Sequence, residues 1–334
     1  MKTGTIFLDT ENKVSLTFYI HDHSPEMPNA NIRPAMLILP GGAYRACSDR
    51  EAEPIALAYI AEGYQAFVLR YSVGGTGFAP ALRDAEKALE TIRSHAEEWR
   101  IEIAKVAVAG FSAGGHLAAF LGTAGRVRPN AMILGYPCIV ETTKEDRVLP
   151  FPIPGADKTV DAKTPPAFIF ATWNDELVPA ENSLRMANAL NVAGIPFELH
   201  IFQKGAHGLS LAKAWTSGGA KTMVSHDVSQ WFSLSVRWLH GLFGDFPADR
   251  EQSMNGVLTE YLEYGVDVSI RDLWANENCR KILLDFLPML DDEKARQSAM
   301  QVSPRIMIKY APDILSNTDL DAMNSCLKKI QRRV

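Results

Sequence analysis

Cysteine is scarce in this sequence of 334 residues, and the cysteines that it has are far apart. No C-x-x-C pair is formed by Cys47, Cys138, Cys279 and Cys326. This spacing argues against a disulfide framework and against a zinc site built from thiolates. It is typical of proteins from a reducing compartment, and we expect a cytoplasmic location.

Basic residues are not in excess either. The chain has 34 Lys and Arg against 39 Asp and Glu, a formal net charge of -5. With this balance the chain has no surplus of positive charge that could neutralise a phosphate backbone, so nucleic acid is not an expected partner. His21 and His23 form an H-x-H pair, but no other ligand cluster accompanies them, and we assign no metal.

Long apolar segments are missing as well. No stretch approaches the roughly 20 apolar residues that a membrane span requires. Asp9 and Glu11 interrupt the apolar run at the N-terminus, which argues against a signal peptide. We therefore expect no membrane association.

The pattern that is present predicts an α/β fold. From residue 35 onward, short β-rich apolar runs alternate with longer stretches of helical period, as in a parallel sheet with crossover helices. The predicted strands are Ala35–Leu39, Ala66–Tyr71, Val106–Ala109, Ala131–Gly135, Ala167–Thr172 and Phe197–Phe202. An antiparallel edge strand, Ser15–Ile20, is predicted to precede them. Helices are predicted over 79–99, Glu51–Glu62 and Asn182–Val192.

A change of pattern near residue 250 divides the chain into two predicted domains, 1–248 and 249–334. Beyond it no β-rich run returns, and the segments read as short amphipathic helices. These helices are predicted at Val257–Tyr264, Ile270–Leu290, Glu293–Met300, Pro304–Leu315 and Leu320–Ile330.

The stretch VAGFSAGGHLAAF, residues 108–120, predicts a nucleophilic serine. Ser112 stands between Gly110 and Gly114, after a predicted strand and before a predicted helix. Glycine is needed on both sides because a sharp strand-to-helix turn brings the backbones close together. The alternative is that Ser112 is only a polar residue in a tight bend, but its place at the end of a central strand favours the nucleophile.

A nucleophilic serine needs a base and a carboxylate that orients it, and in this fold they follow in the order serine, carboxylate, histidine. Asp175 follows one later strand and His207 the next, which is the required order. Glu176 is a rival carboxylate, and Asp175 could be only a helix N-cap. The rival histidines, none of which lies in the required loop, are His116, His200 and His226.

An oxyanion hole requires backbone N–H groups near the serine. Ala113 directly follows Ser112, and the loop LILPGGAYRA after the first parallel strand offers Gly42 and Ala43 as the other predicted donors. A plain Pro-Gly-Gly turn is the alternative for this loop. The predicted substrate contacts are Gly41, Tyr44 and Tyr136. The methyl group of Ala43 and the ring of Tyr44 predict a small acyl pocket.

The four motifs PGGAY, GFSAGGHLA, WNDELVP and GAHGLSL occur in this order, and through them the chain resembles the esterase branch of the α/β-hydrolase superfamily. It is similar there to bacterial acetyl esterases and acetyl-xylan esterase-like proteins, over residues 15 to 245. One difference is Pro40-Gly41-Gly42-Ala43, where many relatives have His-Gly-Gly-Gly. The resemblance implies an α/β-hydrolase fold for this part of the chain, and the helical segment predicted from residue 249 is then a C-terminal appendage to it.

By the same resemblance Ser112, Asp175 and His207 are nucleophile, orienting acid and base of a serine carboxylesterase that requires no cofactor. Its expected substrates are short-chain acyl esters, above all acetyl esters, with acetylated oligosaccharides as the natural class. A serine peptidase of the prolyl-oligopeptidase type is one alternative, and a non-catalytic binding protein of the same fold is another. The sequence leaves open whether the chain forms a homo-oligomer.

Overall fold

The computed structural model describes residues 1–11, 13–75, 77–143, 149–247 and 263–330. The chain forms two compact units, Met1–Ala248 and Asp249–Val334. Among the helices of the described ranges, none is both long enough and apolar enough to cross a membrane.

The first unit contains an eight-stranded sheet in its described part. Its strands are β1 (Lys2–Asp9), β2 (Val14–Ile20), β3 (Arg33–Leu39), β4 (Gln65–Arg70), β5 (Ile101–Phe111), β6 (Ala131–Gly135), β7 (Ala167–Thr172) and β8 (Phe197–Phe202). Their order is β1-β2-β4-β3-β5-β6-β7-β8. The pairs β1–β2 and β2–β4 are antiparallel, and all the other pairs are parallel. The α/β fold class is confirmed.

The predicted edge strand needs a correction. Strand β2 is antiparallel, as expected, but β1 pairs with its outer side, so β2 is not at the edge. The sequence pattern does not predict strand β1, because Lys2, Gly4 and Thr5 interrupt its apolar residues. Most of its side chains are exposed or half-buried, and an outermost strand needs only one apolar face.

Helices cover both faces of the sheet. The helices are α1 (Glu53–Ala61), α2 (Ala79–Ser94), α3 (Ala96–Trp99), α4 (Ala113–Thr123), α5 (Glu181–Val192) and α6 (His226–Phe243). Helices α2, α4 and α5 contribute to one apolar cluster, and α1 and α6 to a second. Because parallel strands are covered on both faces, β5, β6 and β7 are apolar almost throughout.

The second unit is helical in its described part. Its helices are α7 (Ile270–Ala275), α8 (Glu277–Phe286), α9 (Glu293–Ala299), α10 (Pro304–Tyr310) and α11 (Asn317–Leu327), packed around an apolar cluster that includes Leu283 and Met323. The helix predicted over Ile270–Leu290 is wrong as a single helix. Asn276 divides it, since its side chain accepts the N–H groups of Asn278 and Cys279 and begins α8. Most of the helix predicted at Val257–Tyr264 lies outside the described residues.

Candidate active site

Ser112 stands on a strained turn between β5 and α4. Its φ of 53° and ψ of -118° are unfavourable for a residue with a side chain. A Cβ added at Gly110 would lie 2.2 Å from the carbonyl oxygen of Gly114, and one added at Gly114 would lie 2.1 Å from that of Leu39. The two glycines therefore permit the close packing that holds Ser112 in this conformation.

Three side chains form a hydrogen-bonded chain at the C-terminal edge of the sheet. His207, in the loop after β8, has its Nε2 2.8 Å from Ser112 Oγ and its Nδ1 2.7 Å from Asp175 Oδ2. The other oxygen of Asp175, Oδ1, accepts the N–H groups of Leu177 and Val178, both at 2.9 Å. The buried carboxylate thus has both oxygens occupied, so its orientation towards His207 is restricted.

The rival residues lie elsewhere. Glu176 is exposed to solvent, and His200 pairs with Glu198 at 2.7 Å. His226 is exposed at the first position of α6. His116 is fully buried, with Nδ1 2.7 Å from the Tyr44 hydroxyl and Nε2 2.9 Å from the carbonyl oxygen of Pro154. None of these four side chains takes part in the series of hydrogen bonds that links Asp175 and His207 to Ser112.

The loop after β3 packs directly against the serine. A Cβ added at Gly41 would lie 3.0 Å from Ser112 Cβ, so only glycine permits this contact. Gly42 has a φ of 131° and Ala43 a φ of 53°, and these values turn the loop sharply. Among the described residues, the amides of Gly42, Ala43 and Ala113 have no protein acceptor. They are therefore available to bind an anionic oxygen.

The two tyrosines predicted to contact substrate require a correction. Tyr44 is fully buried, and its hydroxyl bonds to His116. Tyr136 is 2% exposed, and its hydroxyl donates to Glu51 Oε1 at 2.6 Å. Tyr44 has a positive φ, and the turn directs its ring into the protein. Both side chains therefore support the site from within.

The sequence predicts Glu51 only as the first residue of a helix and gives no sign that it belongs to the site. Its carboxylate is buried and accepts the N–H of Gly41 at 2.8 Å. No local pattern distinguishes this glutamate from the exposed Glu53 nearby.

Cys138 is a second residue beside Ser112 that the sequence does not predict. Its backbone N–H donates to the carbonyl oxygen of Ser112 at 3.1 Å. Burial raises the pKa of its thiol to about 12, so the thiol stays protonated at neutral pH. Two cavities flank the site. One of about 250 Å³ is lined by Cys138, Thr142 and Val178 among others. The other, of about 510 Å³, is lined by polar residues that include His207 and Lys204 and by apolar ones that include Leu177 and Val224.

Within the described ranges, no three His, Cys, Asp or Glu side chains converge as a metal site would require. The groups brought together at this edge of the sheet are a serine hydroxyl, an imidazole, a carboxylate and free backbone amides.

Two family models match parts of the first unit. Residues 23–134 match the BD-FAE family, and residues 152–233 match the prolyl oligopeptidase family. The first match contains the loop after β3 and the serine, and the second contains Asp175 and His207.

Similar proteins are known from curated sequences and from solved structures. The acetylxylan esterase of Xylanibacter ruminicola is 30% identical over 62% of this chain and 46% of its own. The chain spans less than half the length of the curated relatives it matches.

Among solved structures, an α/β hydrolase from a Medee basin deep-sea metagenome library is 48% identical, with a TM-score of 0.68 over 72% of this chain and 98% of that one. An acetyl ester-xyloside bifunctional hydrolase from Caldicellulosiruptor lactoaceticus is 33% identical, with a TM-score of 0.61 over 71% of this chain and 92% of that one. On this likeness and on its eight-stranded sheet, the chain belongs to the α/β-hydrolase superfamily.

Proposed function

We propose that the protein is a serine carboxylesterase in which Ser112 is the nucleophile, His207 the base and Asp175 the orienting acid. The observation that carries this proposal is the continuous chain of hydrogen bonds from Asp175 through His207 to Ser112, at 2.7 and 2.8 Å. These distances lie within the reach needed for proton transfer. The esterases among the similar proteins support the same activity.

The geometry suggests the following sequence of steps. His207 Nε2 takes the proton of Ser112 as its oxygen attacks the ester carbonyl, and Asp175 stabilises the imidazolium that forms. The amides of Gly42, Ala43 and Ala113 bind the negative oxygen of the tetrahedral intermediate. His207 then protonates the alcohol oxygen, and the alcohol departs. The acyl group remains bound to Ser112 as an ester. Water, activated by the same histidine, releases the acid.

The two cavities suggest where the two halves of the ester bind. Because His207 protonates the alcohol, the alcohol belongs on its side, in the cavity of about 510 Å³. Polar groups there, including Asn174, Lys204 and Thr222, suit the hydroxyl groups of a sugar. The acyl group then faces Cys138. We therefore propose short-chain acyl esters, in particular acetyl esters of oligosaccharides, as substrates.

The test is hydrolysis of p-nitrophenyl acetate and of acetylated xylo-oligosaccharides by the purified protein, with Ser112→Ala as the control. Release of nitrophenol and acetate by the wild type alone is expected. A proline-containing peptide amide serves as a comparison, because part of the chain matches the prolyl oligopeptidase family. Cleavage of the amide without cleavage of either ester would overturn the proposal.

A further inference from the structure

Glu51 connects the two loops on which the proposed reaction depends. Its Oε2 accepts the N–H of Gly41, in the loop of the proposed oxyanion donors, at 2.8 Å. Its Oε1 accepts the hydroxyl of Tyr136 at 2.6 Å. Glu51 is 2% exposed, so both bonds are shielded from water.

Tyr136 extends this connection to the loop of His207. Its hydroxyl accepts the N–H of Ser210 at 2.9 Å, three residues beyond the histidine. Its ring also packs edge-on against the imidazole of His207, with 5.1 Å between the ring centroids. A path of two hydrogen bonds thus leads from the carboxylate of Glu51 into the histidine loop.

Arg50 strengthens the same link from the neighbouring position. Its guanidinium donates to the carbonyl oxygen of Gly208 at 3.1 Å, and its own carbonyl oxygen accepts the hydroxyl of Ser210. The segment 50–51 therefore holds the histidine loop through side chain and backbone together.

The sheet by itself does not connect these loops. Gly41 follows β3 and His207 follows β8, and in the sheet order β5, β6 and β7 lie between them. The oxyanion donors and the base must nevertheless keep a fixed separation, because displacements well below 1 Å weaken transition-state binding. Burying a carboxylate costs free energy unless it is well hydrogen-bonded, and Glu51 is bonded at both oxygens.

We propose that Glu51 is a positioning residue that holds the oxyanion loop and the loop of His207 in register, an inference that rests on the proposed esterase function. Glu51 acts through the amide of Gly41 and the hydroxyl of Tyr136. Its contribution is to the transition state, where the oxyanion and the imidazolium are both present.

The test compares Glu51→Gln, Tyr136→Phe and the double variant with the wild type, using p-nitrophenyl acetate. Each single change should lower kcat by about 10- to 100-fold and leave KM within about threefold, because the donors act on the transition state. The kcat of the double variant should be little lower than that of the worse single variant, since both changes interrupt the same path of hydrogen bonds. Ser112 should also react more slowly with a phosphonate ester, because the adduct places an oxygen among the same amide donors. The rate of this reaction should fall by about the same factor as kcat.

The matched control is Glu62→Gln, which removes an exposed carboxylate at the end of α1. It should leave kcat unchanged, and its effect should add to that of Tyr136→Phe. The thermal unfolding midpoint of each variant is measured, and the kinetic assays are run well below that temperature. A loss of stability can then be distinguished from a loss of catalytic rate. If Glu51→Gln does not fold, Tyr136→Phe, which removes a single hydroxyl, carries the test.

The possible results are distinct. An inactive wild type would overturn the proposed esterase function. An active wild type with Glu51→Gln or Tyr136→Phe within about threefold of its kcat would overturn the role of Glu51 alone. A rise in KM with unchanged kcat would also overturn it, because it would show that Glu51 shapes substrate binding.

Discussion

The Nε2 of His207 lies 2.8 Å from the Oγ of Ser112, although 95 residues separate them in the chain. The contact joins the loop after β8 to the turn after β5, across the ends of two intervening strands. The most direct predictions concern this contact.

Ser112→Ala and His207→Ala should each lower kcat for ester hydrolysis by at least about a thousandfold, because each removes covalent catalysis. The unfolding midpoint should change little, since neither side chain is part of the apolar clusters. Steady-state kinetics and thermal unfolding provide the two measurements. Activity within about tenfold of the wild type in either variant would contradict the assignment.

The orienting acid has its own matched pair of variants. Asp175→Asn should reduce kcat by up to about 10⁴-fold, because the amide favours the wrong tautomer of His207. Glu176→Gln, which changes an exposed neighbour, should have little effect. The opposite ranking would assign the acid to Glu176.

The rate should depend on pH through the base. His207 must be neutral to accept the serine proton, so kcat/KM should rise with pH through one ionisation and then level. The profile is measured with p-nitrophenyl acetate at constant ionic strength, with and without EDTA. A profile that falls over the same range, or activity that EDTA removes and zinc restores, would argue for different chemistry.

The buried His116 should make folding stability depend on pH. Burial lowers its pKa from the usual 6.5 to about 4, so between these values the unfolded chain binds a proton that the folded chain does not. Stability is therefore fully present above the unfolded value and is lost as the pH falls towards 4, by about 3 kcal/mol. Urea unfolding at pH 7 and pH 5 should show a smaller difference for His116→Gln than for the wild type.

The control for this measurement is His226→Gln, because His226 is exposed. Its loss of stability between pH 7 and pH 5 should equal that of the wild type. An equal loss in His116→Gln would mean that other groups cause the pH dependence.

The preference for short acyl groups can be tested at Cys138. Cys138 lies beside Ser112, since its N–H donates to the carbonyl oxygen of Ser112 at 3.1 Å, and it lines the adjoining cavity of about 250 Å³. Its side chain should therefore obstruct acyl chains longer than acetyl. We expect kcat/KM to fall from acetyl to butyryl to octanoyl esters of p-nitrophenol. Cys138→Ala should shift the preference towards longer chains by creating space beside Ser112.

Cys326→Ala, a change in the second unit, is the control and should leave the chain-length profile unaltered. Octanoyl ester hydrolysis as efficient as that of the acetyl ester in the wild type would contradict the short-chain preference.

The second unit is predicted to be dispensable for the chemistry. A chain of residues 1–248 keeps Ser112, Asp175 and His207, and it should hydrolyse p-nitrophenyl acetate with an unchanged kcat/KM. Its mass in solution and its activity on bulky acetylated oligosaccharides show whether the helical unit serves association or substrate access. Loss of activity on the small ester, with cooperative unfolding preserved, would assign residues of the second unit to the reaction.

The sequence by itself determined the α/β class, the strands β6, β7 and β8 to the residue, and three side chains that the structure brings together. It did so because the signals are local. A serine between glycines at a strand-to-helix turn needs only its neighbours, and parallel strands bring the loops of Asp175 and His207 to one edge of the sheet.

Only the tertiary structure decided the surroundings of these residues. The inward direction of Tyr44, the outer position of β1 and the contact between Glu51 and Tyr136, 85 residues apart, depend on how distant segments pack. A glutamate that begins a surface helix and one that is buried between two loops have the same local pattern. What separates them is the set of donors that folding brings to the carboxylate, and here those donors come from the loop after β3 and from Tyr136, just beyond β6.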